Sequence, residues 1–383
     1  MKLLVVGDIG IIFTYEYVTE IASKFPGCSI DILSFSPRKD ANAEREANLI
    51  ALGCHIFYQP SYKLLKKHKL LHGFIRLGEF MRYRLCRQYD RINIHFPGAD
   101  SIAVCYWASK KARVVTSLYG SDILRASKRS LAVVKKLLLR SDAITVASRT
   151  IQEQVSQKIS AQFDDKIEIV RYGSNAAGYM SKAIAASSKA ECKQHFGFPA
   201  DRITVLCGYN GSRAQRHIEI LQELKKLSSQ TQNKLFLVLQ CSYGFSESYY
   251  KELSAALDAS PLEGVIVTDF MQGEVLAKFR NSIDVFLNLQ PTDVLSATMI
   301  EELEAGAVVV KGDWLCYPDL DERKAYMRSI PTMDALSTEL KRIVVDFSDE
   351  QAKAQTNKGV WEILSWEKQY SKWERIILGK NQG

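Results

Sequence analysis

The chain has no apolar run near the roughly 18 residues that span a bilayer, no Cys-x-x-Cys spacing among its 8 cysteines, and no low-complexity tract or short repeat. The first absence, with Asp8 interrupting MKLLVVGDIG, argues against a membrane-spanning or exported form. The second argues against a zinc site or a disulfide framework and fits a reducing cytoplasm. What is present is 46% apolar, 25% charged and 10% aromatic, a globular profile. At 383 residues a single core normally splits, so two domains of roughly 150 to 200 residues are expected.

Net charge is +8 and unevenly placed. Residues 51–150 hold 19 basic and 5 acidic side chains, residues 1–50 hold 5 and 7, and the remainder 27 and 31. So concentrated a field attracts a polyanion: nucleic acid, a phosphorylated lipid carrier or an anionic bilayer surface. Within residues 61–91, Leu71, Phe74, Leu77, Met81 and Leu85 recur at helical spacing among Lys66, Lys67, Arg76, Arg82 and other cations. LRASKRSLAVVKKLLLR adds Lys128, Arg129, Lys135, Lys136 and Arg140. Such stretches lie on an anionic membrane surface, or pack an apolar stripe on a sheet with the lysines solvated. No nucleic-acid-binding module is visible, and no nucleic-acid partner is expected.

Short β-branched or leucine-rich runs alternate with helical stretches. KLLVVGD, CSIDILSF, DRINIHF, ARVVTSLYG, DAITVAS and KIEIVRYG read as buried parallel strands. SNAAGYMSKAIAASSKAE reads as a linker. RITVLCGY, KLFLVLQ, GVIVTDF, DVFLNL and AVVVKGD then repeat the pattern. The expectation is α/β: two Rossmann-like, doubly wound parallel-sheet domains facing across a cleft, divided near residue 175, with ligands beyond the carboxyl ends of the strands.

Four loops at such ends stand out. Gly120-Ser121-Asp122 lets backbone approach a ligand, and Asp122 either accepts a substrate hydroxyl or caps the next helix. Asn210, Gly211, Ser212 and Arg213 lead to Arg216 and His217 at a helix start, where glycine backbone and guanidinium groups suit a diphosphate, or form a turn with solvated arginines. Asp293 precedes a helix opened by Ser296, Ala297 and Thr298, with Glu301 two turns beyond it; unpaired amides and two carboxylates bracket a sugar nucleotide, or Asp293 is only a cap. Phe270, after GVIVTD, borders a base or packs in the core.

These features, in this order, resemble the GT-B glycosyltransferases, particularly family 4 of the nucleotide-sugar-dependent enzymes. Tyr119-Gly120-Ser121-Asp122 stands where that family has His-Gly-x-Asp. SDAITVAS, IVRYGSN and KAECKQHFGFPADRITVLCGY are similar to its mid-chain phrases, and SWEKQYSKWERII to its final helix. The resemblance implies an acceptor-binding domain over residues 1–175, a nucleotide-sugar domain over 176–362, and a terminal helix over 363–383 crossing back to the first. Two carboxylates separated by seven residues, Asp293 and Glu301, followed by Gly306 and a buried strand, match the family's paired glutamates. By resemblance Glu301 holds the ribose hydroxyls and Asp293 lies by the transferred sugar. Gly10 belongs to a reduced form of the first donor loop.

Asn210 replaces one of the family's two phosphate cations, with Arg213 beside it; Val294 and Leu295 replace its glycines; Tyr119 replaces its histidine. GYNGSRAQRHIEIL and SLYGSDILR are similar to bacterial transferases that add 4-acetamido-fucose to a lipid-linked antigen. The implied reaction is attack by an acceptor hydroxyl on the anomeric carbon of a nucleotide diphosphate sugar, in surface polysaccharide assembly. It needs neither a cofactor nor a metal, proceeds with retention, and takes place at the inner face of the membrane. Under inversion, Asp8 or Asp122 becomes the base. A non-catalytic scaffold and a sugar-nucleotide epimerase are the rival readings.

Overall fold

The computed structural model describes residues 1–25, 27–58, 89–107 and 111–379. They form two compact units, residues 1–173 with the segment from Trp366 onward, and Ser174–Ser365. The basic stretch at 61–91 falls almost wholly outside the described residues.

In the first unit, strands β1 (Lys2–Val6), β2 (Ser29–Ser34), β3 (His55–Tyr58), β4 (Arg91–His95), β5 (Arg113–Leu118), β6 (Ala143–Val146) and β7 (Ile167–Ile169) form one parallel sheet. The order is β3-β2-β1-β4-β5-β6-β7, so the winding reverses between β1 and β4. Side chains alternate across the sheet. Leu3 and Val5 join the core on one face, and Leu4 and Val6 join that on the other, which explains why β1 is apolar from Leu3 to Val6. The terminal helix Trp366–Leu378 completes the first face with Trp373, Ile376 and Ile377. Its last carbonyls are capped by two arginines: Arg91 Nε donates to Ile377 O at 2.7 Å and Arg113 Nε to Ile376 O at 3.3 Å.

The second unit repeats the plan with β8 (Ile203–Cys207), β9 (Leu235–Gln240), β10 (Gly264–Val267), β11 (Val285–Asn288), β12 (Val308–Gly312) and β13 (Arg328–Ile330), ordered β10-β9-β8-β11-β12-β13. Its winding reverses between β8 and β11. Again the core lies on both faces, with Val205 and Cys207 on one side and Leu206 on the other.

The segment read as a linker is instead helical, over Ala176–Ala186 and Lys189–His195. Met180 and Ala183 are buried with Ala277 and Ala305 in a small cluster. The small residues that suggested a loop allow close helix contact. Ser188 and Glu191 form a reciprocal capping box at the start of the second helix.

Candidate functional site

At the reversal point of the second sheet, β8 is followed by Gly208, whose φ is +67°; a Cβ there would lie 2.8 Å from Gln215 and 3.1 Å from His217 Nε2. Glycine is therefore required twice, by backbone conformation and by space. The loop then folds on its own polar groups. Asn210 Oδ1 accepts from Ser212 N at 2.9 Å, Gly211 N donates to Tyr243 O at 2.8 Å, and Ser212 Oγ accepts from Ala214 N at 3.3 Å. Arg216, at φ +62°, turns the chain into the helix His217–Leu224.

Facing it, the loop after β11 is held by a chain of side-chain bonds. Gln215 Nε2 donates to Gln290 Oε1 at 3.2 Å, and Gln290 Nε2 donates to Tyr209 OH at 3.0 Å and to Asn288 Oδ1 at 3.1 Å. Asn288 Nδ2 and the Tyr317 hydroxyl donate to Asp293 Oδ2 at 3.0 and 2.8 Å, and Val294 N donates to Asp293 Oδ1 at 2.9 Å. Burial first, and then the Asp293 carboxylate, push the Tyr317 phenol far above its usual range, so Tyr317 remains a donor. Asp293 is thus half-buried and fixed in angle. Ser296 caps the helix Ala297–Glu304, its Oγ accepting from Met299 N at 3.3 Å, while Ala297 and Thr298 provide amides with no acceptor within the helix.

The two cations expected at the phosphates are placed differently. Arg216 is partly exposed, with Nε 3.7 Å from Glu219 Oε1 and its guanidinium 6.0 Å from the Trp314 ring. Arg213 turns away to Glu252, making two hydrogen bonds, one of them at 3.2 Å, and lies 4.4 Å over the Tyr249 ring. His217 is fully buried with Nδ1 3.1 Å from Tyr249 OH, and burial lowers its pKa to about 4. It is therefore neutral at pH 7 and brings no positive charge to a phosphate. Phe270 is 56% exposed, so the core-packing alternative does not apply; it meets Tyr243 edge-on at 6.3 Å.

Glu301 is buried, and its Oε2 accepts from Arg280 Nε at 2.9 Å. Arg280 was not a candidate from sequence, nor were Gln240, Gln290 and Tyr317. The available signal was an arginine three residues beyond Ala277, on the buried stripe of the helix Gly273–Asn281.

In the first unit, Asp122 accepts from Tyr119 N at 3.1 Å by each oxygen and from Gly120 N at 2.7 Å. The capping geometry is the one present, and the carboxylate is committed to its own loop. Burial raises the Asp122 pKa while those amides oppose the rise. Gly10 N donates to Asp8 Oδ1 at 2.8 Å, and its carbonyl accepts from Arg45 at 2.8 Å. Between them sits His95, also missed from sequence, with Nε2 3.0 Å from Asn93 Oδ1 and Nδ1 2.8 Å from Tyr119 OH. Since Asn93 Nδ2 donates to Val115 O and Ser117 Oγ, its Oδ1 faces His95, which assigns the proton to Nε2. Burial pulls the His95 pKa down to about 3. Tyr119 stacks between Phe96, at 3.6 Å, and Tyr172, at 4.8 Å.

Among the described residues no group of three or more His, Cys, Asp or Glu side chains could hold a metal ion, and no helix is long and apolar enough to cross a membrane. The helix Lys128–Arg140 buries Val134, Leu137 and Leu138 and exposes Lys128, Arg129, Lys135, Lys136 and Leu139.

Residues 15–176 match the model of Glycosyltransferase Family 4. No curated protein matches the sequence. Among solved structures, the chain is similar to HepE of Anabaena in complex with UDP and glucose, at TM-score 0.74 and 14% identity, covering 99% of this chain and 100% of that one. A glycosyltransferase from Rickettsia africae gives TM-score 0.70 at 13% identity over 99% of each chain. UDP-GlcNAc 2-epimerase from Neisseria meningitidis, bound to UDP-GlcNAc, gives 0.58 at 13% over the whole of both. At these identities the likeness speaks for the fold. The two doubly wound parallel sheets are those of the GT-B architecture, and the match to Glycosyltransferase Family 4 extends over residues 15–176, less than half of the chain.

Proposed function

We propose that the protein transfers a sugar from a nucleotide diphosphate sugar to a hydroxyl of a lipid-linked glycan, with the donor held by the second unit. The observation that carries this is the convergence at the β8–β11 reversal of a glycine turn, a helix start with open amides, and a carboxylate fixed by Tyr317 and Asn288. UDP and glucose in the Anabaena structure make uridine diphosphate the first donor base to try.

In this reading the acceptor oxygen bonds to the anomeric carbon, the carbon–oxygen bond to the diphosphate breaks, and its electron pair goes to the β-phosphate. That growing charge is met by Arg216, by the Ala297 and Thr298 amides, and by Arg213 once it exchanges Glu252 for phosphate. Asp293 borders the transferred sugar, Phe270 and Tyr243 border the base, and Glu301 takes the ribose. Under retention the departing phosphate removes the acceptor proton. Asp122 serves by holding Tyr119 and Gly120 in place. Asn210, Gly211 and Ser212 shape the diphosphate loop, and Gly10 shapes the corresponding loop of the first unit.

The cationic face of Lys128–Arg140, with Leu139 exposed, supports docking to anionic lipid at the cytoplasmic side, where a lipid-linked acceptor resides. The resemblance of GYNGSRAQRHIEIL and SLYGSDILR to 4-acetamido-fucose transferases makes that amino-deoxysugar the first donor sugar to assay, in surface polysaccharide synthesis. An epimerase has weaker structural support, with TM-score 0.58 against 0.70 for the Rickettsia transferase.

Calorimetric titration with uridine, guanosine, thymidine and cytidine diphosphates tests the donor site. One of them should bind, and Glu301→Gln, which keeps the side-chain shape, should weaken it by about tenfold or more. Binding by none of the four overturns the reading.

A further inference from the structure

Behind the helix Ala297–Glu304 lies a cluster in which Arg280, Gln240 and Glu302 have no part in the proposed reaction. Arg280 is 3% exposed, and its guanidinium serves acceptors from separate parts of the unit. Nε donates to Glu301 Oε2 at 2.9 Å. One terminal nitrogen donates to Gln240 Oε1 at 2.9 Å and Glu302 Oε1 at 3.2 Å, and the other donates to Thr298 Oγ1 at 3.1 Å. Gln240 ends β9, Thr298 opens the helix, and Glu301 and Glu302 follow one turn later. A planar fork with that many donors committed has one orientation, and so has the carboxylate on its Nε.

Glu301 keeps one oxygen in reserve. Its Oε2 is taken by Arg280, and no described residue engages Oε1. Charge balance constrains the neighbour. One buried guanidinium faces two adjacent carboxylates, of which Glu302 is fully buried and its Oε2 has no partner. Lys189, from the helix packed against this face, also bears on Glu302, but its ammonium is held by Ile283 O and lies 3.7 Å from Asp284. A second full negative charge sealed from water is costly. A proton on Glu302 leaves Arg280 and Glu301 as a neutral pair, in keeping with burial pushing the Glu302 carboxyl up to about 8.

We infer that Arg280 is a positioning residue for donor recognition: it holds Glu301 by Oε2 and leaves Oε1 to the ribose hydroxyls. This rests on the reading of Glu301 as the ribose ligand. The neutral acid matters because an ionised Glu302 would compete with Glu301 for the same guanidinium.

The test compares binding of uridine diphosphate and its 2′,3′-dideoxy analogue by calorimetry, on the full chain. Wild type should prefer the ribose form by at least about tenfold, as a site built around a hydroxyl rejects its absence. Arg280→Lys, a point charge without the fork, should lose that preference to within about twofold, whereas Glu302→Gln, with the shape of the neutral acid, should retain it. A folded Arg280→Lys protein with the preference intact overturns the inference. Should that variant not fold, Thr298→Val and Gln240→Leu each remove one acceptor; an undiminished preference in both overturns it equally. A wild type that binds uridine diphosphate without ribose preference overturns the Glu301 assignment and this inference together. No binding of any nucleoside diphosphate instead overturns the underlying reading of the site.

Discussion

Trp373 donates its indole N–H to the main-chain oxygen of Arg171 at 2.9 Å, joining positions 202 residues apart. The same ring is fully buried, with centroids 4.9 Å from both Tyr17 and Tyr172, so the terminal helix is a structural wall of the first unit. Trp373→Ala should cost about 3–5 kcal/mol in that unit's stability, from lost area and the cavity left behind. Trp373→Phe retains most of the packing but removes the bond to the Arg171 carbonyl, and should cost about 1–2 kcal/mol. Urea melts of the two variants check the order; equal losses would mean that packing is not the main contribution.

Stability should form a dome against pH. His95 and His217 have folded values of about 3 and about 4, below the ordinary 6.5, so the unfolded chain binds more protons in that window and stability falls as pH drops from 6.5. Glu302 has the opposite sign. Its folded value of about 8 lies above the ordinary 4.5, so its contribution is whole below 4.5 and is lost as pH rises through about 8. Thermal melts from acid to alkaline pH should show Glu302→Gln raising only the alkaline limb. Wild-type and variant curves that run parallel there would remove Glu302 as the titrating group.

The Arg213–Glu252 pair is exposed, at 61% and 46% of the two side chains. Such pairs contribute little in water. Arg213→Ala should therefore leave the melting temperature nearly unchanged while weakening diphosphate binding about tenfold, an effect that fades with added salt. An unaltered dissociation constant would confine Arg213 to the surface of the helix Glu247–Asp258.

Gly208→Ala places a Cβ 2.8 Å from Gln215 at a φ of +67°. The strain, on the order of 1–3 kcal/mol, falls on the Gln215–Gln290 link that joins the loops after β8 and β11. Nucleotide affinity should fall more than stability does, read by titration beside a melt of the same sample.

Much of the fold was legible because both sheets are covered on two faces, so that their inner strands are buried at nearly every position and are mostly apolar. The two strands absent from the sequence reading, β3 and β13, lie at sheet edges and are short: HIFY and RSI, neither a long apolar run. The stretch SNAAGYMSKAIAASSKAE reads as a linker, although it holds two helices, because small residues signal turns as readily as close helix packing. The loops around Gly120, Asn210 and Asp293 could be found from glycine and polar residues after strands. Where their side chains point could not, because Asp122, Asn210 and Ser296 satisfy local amides in ways that a substrate would also satisfy. Arg280 was hidden for another reason: its four acceptors come from residues 240, 298, 301 and 302, and no spacing along the chain relates the first to the rest.

The second unit begins and ends at one spot, since Ser174 N donates to Leu364 O at 2.8 Å. A segment whose two ends are stitched by a main-chain bond is a cassette within its host. It is expected to fold when produced alone and to be exchangeable between related chains at two neighbouring splice points, which under the proposed function would make sugar choice graftable apart from acceptor choice.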